Sequence, residues 1–292
     1  MSKFDRLSVY AVLLASGLAL FACRGRQTKD KYTDTATSGF ISISADESFR
    51  RIVQQEIDVF ESIYTMAGID PIYASEVDAI NLLLKDSVRL TVSTRRLTDA
   101  EKAGLEEKKF FPKEFKVASD AIALIVNRQN PDSIISLKDL SRILTGEVTE
   151  WSELYPGSKL GKLQLVFDNP NSSTVRYAID SICRGRPLAG SLHAQKSNAE
   201  VIDFVSQSPS AIGVIGVSWV GSESDSTNLS FSDRVTVMAV SREEKATEQN
   251  SYKPFQAYMA LGDYPLMRDV YVILTDRYAE RADRQRERQF II

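Results

Sequence analysis

Hydrophobic positions along this chain change their period at short intervals. Phe40-Ile41-Ser42-Ile43 reads as a strand, and Phe49, Ile52, Val53, Ile57 and Phe60 then recur at helical spacing. Ile72-Tyr73-Ala74 predicts a second short strand, followed by a helix marked by Val77, Ile80, Leu83 and Leu84. Residues 88–92 make a third strand, and Thr98 with Glu101 forms a capping box opening a helix to about residue 109. A strong apolar run at 121–126 is closed by Asn127 and soon by Asn130-Pro131. Beyond it the pattern predicts a helix at 137–144, a strand at 163–167, and helices from about 174 and over 199–207. A strand at 211–219 carries Gly213 and Gly216, and strands at 235–240 and 271–275 follow. Strands alternating with helices predict an α/β fold with largely parallel sheets.

The first residues follow a different rule. Lys3 and Arg6 precede an uncharged, mostly apolar run at 9–22. That run is shorter than the roughly 20 residues a membrane-spanning helix needs, and a basic start before such a run is the pattern of an export signal. It ends in Leu20-Phe21-Ala22-Cys23, which resembles a bacterial lipobox, with Cys23 the residue to be lipidated, for example with palmitate. Residues 24–38 are polar and charged, too poor in apolar surface to fold, and read as a tether. The expected order is therefore a signal peptide at 1–22, a lipidated cysteine and tether at 23–38, and then the folded part. Such a chain is exported and anchored by lipid to the bacterial cell envelope, facing the periplasm or the cell surface.

Composition changes this picture little. The 292 residues are 43% hydrophobic and 26% charged, enough to bury a core. A formal net charge of −3 disfavours a nucleic-acid partner. Two cysteines, Cys23 and Cys183, make neither a disulfide framework nor a structural zinc site. His193 is the one histidine, and no nucleophile elbow, phosphate loop of nucleotide-binding enzymes or zinc-protease motif accompanies it. A binding protein rather than an enzyme is expected, with no cofactor and no metal.

Candidate chemistry sits at three strand-to-helix junctions: Ser44-Ala45-Asp46-Glu47-Ser48, Ser93-Thr94-Arg95-Arg96, and Asn169-Pro170-Asn171-Ser172-Ser173-Thr174. Open α/β sheets bind ligands at the carboxyl ends of their strands. Unpaired backbone N–H groups, short hydroxyls and a forked guanidinium there suit an oxyanion. The same residue types also serve as ordinary helix caps.

These segments resemble the phosphate-binding proteins of phosphate-specific ABC importers. Ser93-Thr94-Arg95-Arg96-Leu97 is similar to that family's Ser-Ser-Arg-Pro-Leu segment, and Asn171-Ser172-Ser173-Thr174 to its Gly-Ser-Gly-Thr anion loop. Residues 119–127 and 211–216 fit its two crossover regions. The resemblance implies a two-lobed periplasmic binding protein fold with hinge strands and a ligand cleft between the lobes. Lobe one would take residues 39–126 plus 217–292, and lobe two 127–216. It implies a monomer that captures inorganic phosphate and passes it to an ABC transporter permease. The implied ligand contacts are Ser44, Asp46, Glu47, Ser48, Ser93, Thr94, Arg95, Asp120, Ser172, Ser173, Thr174 and Arg176. Phosphate near neutral pH carries a proton and sulfate does not, so a cleft carboxylate (Asp46, Glu47 or Asp120) would discriminate between them.

Asp168-Asn169 stands where many members carry an arginine, leaving Arg95 or Arg176 to compensate, and Ser173 replaces a glycine. After Thr275 the chain is charged and arginine-rich where the family continues with a helix and strand, as a truncated or frameshifted product would be. The alternatives are a binding protein for another oxyanion, such as sulfate or molybdate, and a phosphate sensor or surface interaction protein without a transport role.

Overall fold

The computed structural model describes Thr35 and residues 37–190, 193–221 and 230–275. The expected export signal, Cys23, most of the expected tether and the charged end after Thr275 lie outside those residues. In chain order the first elements are β1 (Ser38–Asp46), α1 (Arg50–Ile63), β2 (Met66–Ala74), α2 (Glu76–Leu84), β3 (Leu90–Ser93), α3 (Asp99–Glu107) and β4 (Lys113–Val126). Then come β5 (Ile134–Ser136), α4 (Leu137–Leu144), β6 (Gln164–Phe167), α5 (Ser173–Tyr177), β7 (His193–Ala194), α6 (Asn198–Gln207) and β8 (Ala211–Gly216). β9 (Thr236–Val237), β10 (Ala239–Ser241), β11 (Ser251–Tyr252), α7 (Gln256–Leu261) and β12 (Met267–Leu274) complete the described part.

One sheet runs β2-β1-β3-β12-β4-β8-β6-β7, with β9 also on β4, and a smaller one runs β11-β10-β5. The long sheet has two halves joined through β4. Its residues 113–121 pair antiparallel with β12, and residues 122–126 pair antiparallel with β8. The chain returns beside this crossing: Met267 lies opposite Ala121, and Ile122 N donates to Leu266 O at 2.9 Å. Two crossings held side by side make a hinge between two lobes, the two-lobed α/β fold expected.

Each half is covered on both faces, as parallel strands require. In the first, Ile80, Leu83, Leu105 and Phe110 pack on one face of the sheet and Ala45, Phe49, Val92 and Val270 form a separate cluster. In the second, Leu140, Ile143, Trp151 and Phe167 form one cluster and Val166, Val201, Val205 and Trp219 another. Serine and threonine caps start most helices: Ser75, Thr98, Ser136, Ser172 and Ser197 each accept from a backbone N–H of the first turn. The Thr98–Glu101 capping box is present in both directions.

Several expected bounds move. β4 begins eight residues before its apolar run, because its leading residues face solvent and carry no alternation, whereas all from Asp120 to Val126 are buried. β2 starts at Met66 and contains Pro71, which a strand tolerates at a sheet edge, and β2 pairs only with β1. The strand expected at 211–219 stops at Gly216 and turns through a single 3-10 turn, Val217–Trp219. The expected first lobe includes everything after Val217, yet β9 pairs with β4 at Ile125 and Val126 and β10 pairs with β5. Only from Met267 does the chain rejoin the first half of the sheet. Among the described residues no helix is long and apolar enough to cross a membrane.

Candidate functional site

The parallel strands β1 and β3 of the first half and β6 of the second all end at the boundary between the lobes. Asp46 closes β1, Ser93 closes β3, and Asp168 follows β6. These endings are buried: Asp46, Ser48, Ser93, Asp168, Ser172, Ser173 and Thr174 are all under 4% exposed. Burial of so many polar groups is tolerable only if each is bonded, and most of their side-chain bonds lead to other members of the cluster.

At its centre lies Arg268, 5% exposed and absent from the residues expected from sequence. Its Nε donates to Asp120 Oδ2 at 2.8 Å, one terminal nitrogen to Ser173 Oγ at 2.7 Å and the other to Ser48 Oγ at 2.9 Å. It lies directly across the β12–β4 ladder from Asp120, at the hinge, and its guanidinium stacks over Phe49 at 4.9 Å. Arg268 thus brings to Ser173 the guanidinium that Asp168-Asn169 does not supply.

Three carboxylates of the first half bond donors of the second. Asp46 accepts from Ser48 N at 2.8 Å and, across the boundary, from Ser173 N at 3.3 Å. Glu47 accepts from the Asn198 backbone N–H at 3.2 Å and from its side-chain amide. Glu76 is the most fully bonded. Its Oε1 accepts from Ser93 Oγ at 3.0 Å, Thr94 N at 2.8 Å and Thr94 Oγ1 at 2.6 Å, while Arg176 Nε donates to Oε2 at 2.5 Å. On the second half, Asp168 accepts from Thr174 Oγ1 at 2.6 Å and Asn198 Nδ2 at 3.2 Å. Ser172 caps α5 and shares a 2.8 Å bond with Thr174 Oγ1.

Burial disfavours charge on these acids, and bonding decides the balance. Burial lifts Asp46 above the ordinary aspartate value, with Arg268 opposing. It lifts Glu47 likewise against the Asn198 bonds, and pushes Asp168 up to about 6 with help from the nearby Asp46 charge. Burial also acts to raise Glu76, but the bonds from Arg176 and Thr94 outweigh it and hold that carboxyl below its usual value. Beside the cluster opens a cavity of about 500 Å³, lined among others by Asp46, Glu47, Tyr73, Asp168, Lys196 and Trp219.

Ten of the twelve expected residues meet here: Asp46, Glu47, Ser48, Ser93, Thr94, Asp120, Ser172, Ser173, Thr174 and Arg176. Two do not. Ser44 Oγ donates to Ala79 O at 2.8 Å and Thr91 Oγ1 at 2.9 Å, tying β1 to α2 and β3 inside the first half. Arg95 turns away and forks onto Glu101, with both nitrogens at 2.8 Å, because the capping-box glutamate six residues on lies within its reach. Arg268, Glu76 and Asn198 are the residues sequence reasoning missed. Arg268 did leave a signal, since it alternates with buried Val270 on a strand whose buried positions are otherwise apolar. Glu76 follows a capping serine and reads as an ordinary acidic first-turn residue. Cys183 is buried, and burial pushes its thiol up, away from the reactive thiolate. Among the described residues no group of three or more His, Cys, Asp or Glu could hold a metal ion.

The chain matches the model of the PBP superfamily domain over residues 30–284. It is similar to the phosphate-binding protein PstS of Pseudomonas aeruginosa, 24% identical over 257 residues covering 82% of this chain and 73% of that one. It is also similar to the PstS protein of Bacillus subtilis, 25% identical over 272 residues covering 88% and 80%. Among solved structures it resembles a substrate-binding protein assigned to phosphate ABC transport from Clostridium perfringens, with bound phosphate. That likeness has a TM-score of 0.65 at 20% identity, covering 81% of this chain and 86% of that one. With most of its length matched and two α/β lobes joined by paired crossings, the chain belongs to the periplasmic binding protein (PBP) superfamily, with the type II fold of phosphate-binding proteins.

Proposed function

We propose that this chain is an exported, lipid-anchored binding protein that captures inorganic phosphate between its lobes and hands it to the permease of an ABC importer. In this reading lobe one is residues 39–121 with 267–275, lobe two is residues 122–262, and Cys23 carries the lipid. The observation that carries it is Arg268, whose guanidinium joins a hydroxyl from each lobe, Ser48 and Ser173, where the carboxyl ends of the strands meet. A small tetrahedral anion needs such a set: a guanidinium, short hydroxyls from both sides and nearby backbone N–H groups. The phosphate-binding relatives support the choice of anion.

Binding alone accounts for the groups present. The hydroxyls of Ser48, Ser172, Ser173 and Thr174 bond to carboxylates, to each other or to arginine, and none is paired with a histidine base. Buried Asp46 and Asp168 favour an anion that can share a proton, which hydrogen phosphate does and sulfate does not. The test is isothermal titration of the purified chain with phosphate and then sulfate. Saturable heat with phosphate and none with sulfate is expected. Sulfate bound as well as phosphate would shift the reading to a general oxyanion carrier, and heat from neither would remove the transport role.

A further inference from the structure

Several of the donors expected to receive an oxyanion are already bonded to carboxylates of this chain. Glu76 shows this most clearly. One carboxylate collects two hydroxyls, a backbone N–H and the Arg176 guanidinium, the donor set a phosphate oxygen would take. Glu47 collects the first N–H of α6 together with the Asn198 side-chain amide. Asp46 bridges Ser48 N and Ser173 N. In all three the carboxylate belongs to the first half of the sheet and at least one donor to the second.

The direction matters. A carboxylate bonded within its own lobe would only shape that lobe. A carboxylate bonded across the boundary does what a bound oxyanion does in a hinged binding protein, supplying negative charge that both lobes hold. The charge balance agrees: Asp46, Glu47, Glu76, Asp120 and Asp168 face two guanidiniums in the cluster, Arg176 and Arg268. Arg50, 3.9 Å from Glu47, is half exposed at the rim. An incoming dianion therefore meets several of its donors occupied and excess negative charge around them.

We propose that Glu47 and Glu76, together with Asp46, are built-in substitutes for the oxyanion: they clamp the lobes together and compete with the ligand for its donors. They thereby set how tightly, and in which ionic form, an anion is captured. The clamp follows from the cross-lobe bonds alone, whereas the competition rests on the phosphate reading above. A ligand shifts a two-state equilibrium only by its differential affinity for the two states, so a chain already clamped gains little closure from phosphate.

The test compares the full chain with a Glu47→Ala, Glu76→Ala double variant by small-angle scattering, with and without millimolar inorganic phosphate, and by phosphate titration. Wild type is expected to keep one radius of gyration in both conditions. The double variant should be larger without phosphate, contract on adding it, and bind at least about tenfold more tightly, the ratio carried by roughly 1.4 kcal/mol. Arg176→Met removes the Glu76 contact from the other lobe, so it should also expand the phosphate-free chain and serves if the double variant fails to fold. Folded variants that stay as compact as wild type, or a wild type that contracts with phosphate as much as they do, would overturn the clamp. Expansion in the variants with no phosphate bound by wild type or variants would uphold the clamp and defeat the phosphate reading instead.

Discussion

Two arginines show how a side chain's partner, rather than its neighbours in sequence, decides what it does. Arg95 stands beside Ser93 and Thr94, yet both its terminal nitrogens bond Glu101. Those bonds hold the Glu101 carboxyl down at about 2. Its loss should leave phosphate affinity within error, and breaking the partly buried, forked pair should cost about 1–3 kcal/mol. Arg268 is the contrast. Removing it strands the buried Asp120 carboxylate and frees the Ser48 and Ser173 hydroxyls, so Arg268→Met should cost about 3–5 kcal/mol and abolish phosphate heat. Adding Asp120→Leu should recover part of the stability and none of the binding. Urea unfolding of the three variants, with titration alongside, separates these outcomes. Equal losses for Arg95→Ala and Arg268→Met would put the anion site elsewhere. The sequence could point to Arg95 because hydroxyls flank it; it could not show that a strand end 173 positions later delivers Arg268 to the same place.

At the scale of elements, legibility follows burial. β8 is buried at all six positions, and the matching stretch of β4 at residues 120–126 is buried too, so both were readable as strands. The front of β4 and the edge strand β2 are wet or half-buried and left little periodicity. The pairing of β9 and β10 is not legible in the sequence because it is non-local. β10 lies on β5, about a hundred residues earlier, and no local pattern encodes that. Gly213 shows how closely α6 sits on β8. A Cβ there would lie 2.8 Å from both Ile125 Cγ1 and Val201 Cγ1, and 2.9 Å from Val205 Cγ2. All three neighbours are short β-branched side chains in a packed core and cannot swing aside. Gly213→Ala should therefore destabilise by about 1–3 kcal/mol, read as a lower denaturant midpoint with an unchanged slope. An unchanged midpoint would mean α6 is not seated as described. The same helix begins at Asn198, whose amide and backbone N–H bond Glu47, so a tilt of α6 should also weaken the cross-lobe contact.

Over the whole molecule, the acids pulled in opposite directions set how stability varies with pH. Asp168 sits at about 6 in the fold against an ordinary 3.8, so its folded form prefers the proton. Its contribution is complete below about pH 4 and lost as pH rises through 6, a difference of about 3 kcal/mol at about 1.36 kcal/mol per pKa unit. Asp46 and Glu47 are raised and act with the same sign. Glu101 does the reverse: held at about 2 against 4.5, it contributes above 4.5 and loses that contribution as pH falls toward 2. Glu76 is lowered and sides with Glu101. The two groups leave a maximum of stability near pH 4 to 5, more acidic than the usual range for a folded protein. Urea unfolding from about pH 7 down to about pH 3 should trace that maximum. Asp168→Asn should remove most of the gain between about pH 7 and pH 5, whereas Glu101→Gln should keep that gain and flatten the acid limb. A wild type steadily more stable up to neutral pH would show that Asp168 is ionised in the fold without penalty. The same protonations remove negative charge from the cleft while phosphate itself becomes a monoanion. Phosphate heat should therefore grow on acidification, in step with the Asp168 titration rather than with that of Glu101, which lies outside the cleft.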